Sequence, residues 1–176
     1  MNIFWFRRDL RLDDNTGLFH ALNSGEDVLP IFIFDDSILS QLPKDDARVT
    51  FIHQQLEKIQ SQLQNIGKSL AIFHGKPLEI YQKLIAENKI KAVYTNHDYE
   101  PYARKRDLEL YHLFKENNIE FKTSKDQVIF EKSEVVKDDG TPYVVYTPYS
   151  NKWKEHFKKI QLVNYNSEDY LLKIAL

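Results

Sequence analysis

The segment IFWFRRDLRLDDN (residues 3–15) joins four apolar residues to nine residues that carry three arginines and three aspartates. An apolar run without polar alternation is typical of a strand that is covered on both faces, as in a parallel sheet. We therefore expect the charged residues at one edge of that sheet. They can bind a polar ligand, or they can pair with a neighbouring element, and local charge does not choose between the two.

Length and composition indicate a folded domain with little overall attraction to nucleic acid. The chain has 176 residues, of which 42% are hydrophobic and 13% aromatic, enough for a sizeable core. Its 24 basic and 26 acidic residues give a net charge of -2, so a DNA contact would need a local patch or a further part of the protein. The lack of cysteine excludes disulfides, thiolate catalysis and cysteine-based zinc sites. Because the chain opens directly with a predicted strand and has no apolar stretch near the ~18 residues of a membrane span, we expect a cytoplasmic protein without a membrane partner.

Apolar runs and helical periodicity alternate along the first two thirds of the chain. The predicted strands are Ile3–Phe6, Leu29–Phe34, Leu70–Phe73, Ala92–Tyr94 and Ile119–Thr123. The predicted helices are Thr16–Asn23, Asp45–Ile66, one that Pro77 opens and one that Pro101 opens. This order predicts an α/β fold, a five-stranded, doubly wound, Rossmann-like parallel sheet of order 3-2-1-4-5 with right-handed crossovers and flanking helices.

The residues from Gln127 onward do not continue the alternation of apolar strands and amphipathic helices. Short extended pieces are expected at Gln127–Phe130, Val135-Val136 and Tyr143–Tyr146, and the spacing of Trp153, Phe157 and Ile160 predicts a helix from about Asn151. Residues 162–176 show no core pattern of their own. We therefore expect one domain over residues 1–130 and an exit segment or linker over residues 131–176.

A ligand is expected where two charged loops meet. In an open parallel sheet, ligands bind beyond the carboxyl ends of the strands, where the strand order reverses. Residues 7–15 follow the first strand and residues 95–107 follow the fourth, while Phe34-Asp35-Asp36 ends the second strand and supplies a third wall. The second loop also leads into a helix N-terminus, which favours anionic groups. Mixed charge and aromatic rings suit a flat polar heteroaromatic ring better than a free phosphate.

Other chemistries lack their sequence patterns. The chain has no Gly-x-Gly-x-x-Gly, no Walker Gly-Lys-Thr/Ser, no His-Glu-x-x-His and no Gly-x-Ser-x-Gly. The six histidines are better explained as surface or helix-face residues than as metal ligands. Asp98 and Glu100 are either general acids or bases, or helix-cap and salt-bridge partners. We predict no metal-binding residues.

Four separated stretches resemble the amino-terminal domain of the DNA photolyase/cryptochrome family. They are WFRRDLRLDDN (5–15), LPIFIFD (29–35), the loop 96–107 with DYEPYAR (98–104), and GTPY (140–143) followed by YTPY (146–149) through Trp153. The resemblance implies an αβ domain that can hold a light-harvesting antenna chromophore. It also implies a larger helical domain, absent from this chain, that carries FAD and contacts damaged DNA in the full-length protein.

The resemblance also narrows the chromophore. Members with a folate antenna have an Asn-Glu pair where this chain has Tyr102-Ala103, which argues against methenyltetrahydrofolate. A flavin or deazaflavin ring is favoured, folate is less favoured, and an empty pocket is the remaining alternative because some members carry no antenna. The candidate cofactor-binding residues are Arg7, Arg8, Phe34, Asp35, Asp98, Glu100, Tyr102 and Arg104.

The leading hypothesis is therefore the non-catalytic antenna domain of a light-driven deoxyribodipyrimidine photolyase, excised from a longer protein. Two alternatives remain at this point. One is the sensory αβ domain of a cryptochrome blue-light receptor, and the other is a stand-alone nucleotide-binding module, because doubly wound sheets host many unrelated sites.

Overall fold

A computed structural model of the protein describes residues 1–175 and shows a five-stranded parallel sheet. The strands are β1 (Asn2–Phe6), β2 (Val28–Asp35), β3 (Ala71–Gly75), β4 (Ala92–Asn96) and β5 (Glu120–Ser124). They lie in the order β3-β2-β1-β4-β5, and all pairings are parallel. This confirms the predicted fold class and strand order.

The helices lie between these strands and cover both faces of the sheet. They are α1 (Thr16–Leu22), α2 (Asp36–Leu39), α3 (Ala47–Gln64), α4 (Pro77–Glu87) and α5 (Pro101–Glu116). Asn15 caps α1 by accepting a hydrogen bond from the Leu18 N–H at 3.1 Å. Pro77 and Pro101 stand in the first turns of α4 and α5, as predicted. The short helix α2 was not predicted, since its four residues are too few for a periodic pattern.

The core is split by the central strand. All five residues of β1 are buried. Phe4 and Phe6 belong to a cluster that includes the buried side chains of α1 and α3, while Ile3 and Trp5 belong to a second cluster with α4 and α5. Because successive side chains of a strand point to opposite faces, β1 contributes side chains to the core on both faces of the sheet.

The chain divides into two compact units, which we describe separately. The first comprises Met1–Asp126 together with the C-terminal residues from Tyr165, and it contains the sheet. Its C-terminal part includes a 3-10 helix, Ser167–Lys173. Ile174 is only 1% exposed and bridges Val28 in parallel. Sequence patterns did not assign Ile174 to the core, since one apolar residue after a 3-10 helix has no period of 2 or 3.6.

The second unit is Gln127–Asn164. It contains a 3-10 turn (Lys132–Glu134) and a helix, α6 (Tyr146–Phe157). The helix begins earlier than the expected Asn151, because Pro148 lies in its first turn, where a missing N–H costs nothing. The extended pieces expected here do not form strands within the described residues of this unit. Trp153 stacks on Phe157 with ring centroids 5.0 Å apart. The expected boundary at residue 130 stays a prediction.

Candidate functional site

A cavity of about 810 Å³ opens at the carboxyl ends of β1 and β2, within the first unit. This volume is in the range of small-molecule and cofactor sites. Residues 5–11 form one wall, and residues 32–35 with α2 and the start of α3 form a second. Asp98 and Arg106 border it from the β4 side. The cavity therefore lies over the ends of β1 and β2 and borders the point, between β1 and β4, where the strand order reverses. Aromatic and aliphatic side chains form most of its lining, with charged side chains among them.

Arg7 ties the end of β1 to α5. Its Nη1 and Nη2 donate to the two carboxylate oxygens of Asp107 at 2.9 and 2.8 Å, and Nη1 also reaches the Asn96 carbonyl at 3.4 Å. The side chain is 6% exposed. Burial, and then the neighbouring Arg106, lower the pKa of Arg7, while Asp107 opposes this shift. A buried bidentate pair of this kind fixes geometry strongly.

Arg106 joins the same cluster from the second turn of α5. Its guanidinium contacts Asp107 at 3.3 Å and Asp35 at 3.8 Å. Tyr102, one turn earlier, donates its hydroxyl to Asp35 at 2.6 Å. Burial and then the Asp35 carboxylate raise the pKa of Tyr102, so the hydroxyl stays a donor at neutral pH. These contacts connect the ends of β1, β2 and α5 in one hydrogen-bonded cluster.

A second buried network holds the two loops together. Asp9 accepts hydrogen bonds from the Arg7 N–H and from the side-chain amide of Asn96. Burial raises the pKa of Asp9 against the opposing effect of these donors. Asn96 also donates to Asn15 at 2.9 Å and accepts from the Gly17 N–H at 2.8 Å. A Cβ at Gly17 would lie 2.7 Å from that Asn96 oxygen, so only glycine permits this approach.

Arg8 lies at the mouth of the cavity and is more exposed than Arg7. Its guanidinium pairs with Asp98 at 3.4 Å and with Glu100 at 3.8 Å. The side chain of Arg8 is 57% exposed and that of Glu100 60%, whereas that of Asp98 is only 9% exposed. The pair thus links the two loops at the surface, where an ion pair contributes little to stability.

Five of the eight residues predicted from the sequence lie around the cavity. They are Arg7, Arg8, Phe34, Asp35 and Asp98. Glu100, Tyr102 and Arg104 do not line it in the described part of the chain. Glu100 and Tyr102 reach it indirectly, through Arg8 and Asp35. Arg104 is exposed on α5, and its backbone N–H bonds the Glu100 carbonyl.

Sequence reasoning missed two features of the site. The first is Arg106, which was not selected from the sequence. Its position does carry a signal, since Ala103, Arg106 and Leu110 follow one another at spacings of three and four and form the buried stripe of α5. A charged residue in such a stripe needs a buried partner. The second missed feature is the wall formed by α2 and the start of α3, including Phe51 and Gln55, which no local motif indicates.

The donor set suits a planar organic ring more than a metal ion. Within residues 1–175, no group of three or more His, Asp or Glu side chains could hold a metal. No helix of the described residues is long and apolar enough to cross a membrane. The cavity instead combines aromatic and aliphatic walls with guanidinium and carboxylate groups, which can hydrogen-bond the edge of a ring that packs against the apolar residues.

The sequence profile of the DNA photolyase family matches residues 2–166. The chain belongs to this family. It is 33% identical over 152 residues to a deoxyribodipyrimidine photo-lyase from Synechococcus sp., an alignment that covers 86% of this chain and 31% of the relative. Further relatives include both photolyases and cryptochromes. The sheet and helices are those of the amino-terminal αβ domain of photolyases.

Two solved structures are also similar. The class III photolyase of Agrobacterium tumefaciens superposes with a TM-score of 0.74 at 32% identity, over 83% of this chain and 30% of that one. The archaeal photolyase of Sulfolobus tokodaii, described with two FAD molecules and a novel light-harvesting cofactor, gives a TM-score of 0.67 at 27% identity, over 100% of this chain and 42% of that one. The chain thus spans well under half the length of these proteins.

Proposed function

We propose that this domain binds a planar antenna chromophore of the flavin or deazaflavin type in the cavity. The observation that carries the proposal is a largely apolar cavity of about 810 Å³ at the carboxyl ends of β1 and β2, beside the switch point of the sheet and edged by Arg7, Asp35 and Arg106. Arg8 and Asp98 stand at its mouth, where they can contact the edge or side chain of a bound ring. Glu100 orients Arg8, and Tyr102 orients Asp35.

The same proposal assigns this domain a role in a longer protein. We propose that the full-length protein is a light-driven deoxyribodipyrimidine photolyase, in which the chromophore absorbs light and passes the excitation to FAD in a helical domain. That domain would also contact damaged DNA, and no catalytic residue would lie in residues 1–176. An antenna must be held at a fixed distance and orientation, which suits rigid loops on a sheet edge. A cytoplasmic location stays a prediction.

A folate antenna is disfavoured by the surroundings of residue 103. Ala103, which stands where folate-binding members carry the acidic residue of an Asn-Glu pair, is 2% exposed. A carboxylate there would be buried against the sheet, at a high desolvation cost. The preceding Tyr102 is already engaged with Asp35.

Titration of the purified chain with FMN, FAD, a deazaflavin and methenyltetrahydrofolate tests the proposal. Absorbance and fluorescence anisotropy should show saturable binding of a flavin or deazaflavin and weaker or no binding of the folate. Gln55→Trp should fill the cavity and abolish binding, because Gln55 lines it. Gln54→Trp places the same indole on the exposed side of α3 and is the matched control. Equal binding by both variants would place the chromophore elsewhere.

The match to cryptochromes supports a second candidate, a sensory domain of a blue-light receptor. The antenna site would then serve light detection and not repair. Repair of a dimer-containing oligonucleotide by the full-length protein under blue light separates the two. The 176-residue chain alone should split no dimers under either hypothesis.

A further inference from the structure

Trp5 is an oxidisable side chain beside the proposed chromophore site. Its side chain is 2% exposed and borders the cavity. Its ring packs edge-on against that of Tyr81, with the ring centroids 5.6 Å apart. Indoles are among the most easily oxidised side chains, and an excited flavin in contact with one accepts an electron from it. One electron leaves Trp5 for the excited ring, an indole radical cation remains, and the electron then returns while the excitation is lost as heat. An antenna with such a neighbour would be quenched.

Two cations lie over this indole. The guanidinium carbon of Arg7 is 4.1 Å from the ring centroid, and that of Arg106 is 4.7 Å away. Both guanidinium groups are held in place over the ring, since Asp107 hydrogen-bonds both of them and Asp35 contacts Arg106. In the ground state each contact is an attractive cation–π interaction.

Loss of an electron from Trp5 would reverse the sign of these contacts. An indole radical cation would meet two positive charges at less than 5 Å in a buried site, where Coulomb repulsion is poorly screened. Asp107 hydrogen-bonds the guanidinium nitrogens and Asp35 pairs with Arg106 at 3.8 Å, whereas the guanidinium carbons lie 4.1 and 4.7 Å from the centroid of the ring. We propose that Arg7 and Arg106 raise the oxidation potential of Trp5 and so protect the excited state of a chromophore in the cavity from quenching.

Fluorescence lifetimes of bound FMN test this inference, which rests on the proposed function. At saturating FMN, Arg106→Gln should shorten the lifetime severalfold, because the cation is lost while a hydrogen-bond donor remains. Arg106→Lys should retain most of the wild-type lifetime. Trp5→Phe should restore the lifetime in the Arg106→Gln background and change it little in the wild type. Lys105→Gln, which removes a charge from the exposed face of α5, should leave it unchanged.

Two results would overturn the inference. One is an unchanged lifetime in Arg106→Gln, and the other is a large increase in lifetime when Trp5→Phe is made in the wild type, which would mean that Trp5 already quenches. The second result needs no Arg106 variant to fold.

A measurement without chromophore separates failure of this inference from failure of the proposed function. In a Trp153→Phe protein, Trp5 is the only tryptophan, and protein-film voltammetry reports its oxidation potential as the signal that is lost when Trp5→Phe is added and only the ten tyrosines remain. Arg106→Gln should lower that potential and Arg106→Lys should not. If FMN does not bind but the potential shifts, the proposed ligand is wrong and the protection of Trp5 stands. If FMN binds and the potential is unchanged, the protection is refuted and the site stands.

Discussion

Arg7 and Arg8 are neighbours in one motif, yet they have opposite surroundings. The side chain of Arg7 is 6% exposed and is held by Asp107, whereas that of Arg8 is 57% exposed and pairs with Asp98 and Glu100 at the cavity mouth. The difference arises because the chain bends directly after β1, so that Arg7 reaches Asp107 of α5 while Arg8 reaches Asp98 in the loop after β4. One charged motif can therefore contain a residue that stabilises the fold, here Arg7, next to a residue that is free to contact a ligand, here Arg8.

Replacing Arg7 should cause the largest loss of stability. Arg7→Met leaves the Asp107 carboxylate without its bidentate partner, and removing one member of a buried pair costs about 3–5 kcal/mol. The free energy of unfolding from urea titration measures this loss. Arg8→Met is the control and should cost under about 1 kcal/mol. Equal losses for the two variants would refute the assignment of Arg7 as the anchor.

Asp107→Asn should have the next largest effect, because it replaces the carboxylate that Arg7 and Arg106 share with a neutral amide, and only Arg106 keeps another carboxylate partner, Asp35. We expect a loss of roughly 2–3 kcal/mol from the weakened charge-assisted hydrogen bonds. A double-mutant cycle with Arg7→Met should show strong coupling. Additive losses would mean that the two side chains act independently, in conflict with their contacts of 2.8 and 2.9 Å.

The pH dependence of stability should reveal Asp9, whose carboxylate accepts hydrogen bonds from the Arg7 N–H and from the side-chain amide of Asn96. Burial raises its pKa above the ordinary 3.8, so the folded state binds the proton more tightly than the unfolded state. Its contribution is therefore fully present below pH 3.8 and is lost as the pH rises through the folded-state pKa. Relative to Asp9→Asn, the wild type should gain stability on acidification through this window. Urea titrations at a series of pH values would contradict this if the difference stayed constant.

Glu100→Gln should have the smallest effect on stability. Glu100 is an exposed partner of Arg8, and surface substitutions of this kind usually change stability by less than about 0.5 kcal/mol. If Arg8 contacts the chromophore, FMN affinity should fall modestly while the melting temperature stays the same. A lowered melting temperature with unchanged FMN affinity would place the Arg8–Glu100 pair in the fold and not in the site.

The fold was predictable because it follows from local patterns. Apolar runs such as residues 3–6 and the periodic face of α3 carry their period in the sequence, and the switch point follows from the strand order. The expected meeting of the two charged loops is present in the contacts of Arg7 with Asp107 and of Arg8 with Asp98.

The rest of the site depends on tertiary contacts that leave little local signal. Arg104 was chosen by motif, but the helical period turns it to the surface and brings Arg106 inward. Phe51 and Gln55 reach the cavity only because α3 packs in the same core cluster as Phe32 of β2. Ile174 is buried in the core although it lies near the C-terminal end of the chain, and the sequence around it has no periodic pattern that predicts this contact.

Amide chemical shifts during a titration of the 176-residue chain with FMN test the central claim most directly. The account predicts saturable shifts at Phe34, Gln55 and Asp98, which line one cavity from β2, from α3 and from the loop after β4, while the amides of α6 stay unchanged. Saturable shifts confined to α6 or to the outer strand β3, with none at the ends of β1 and β2, would contradict it.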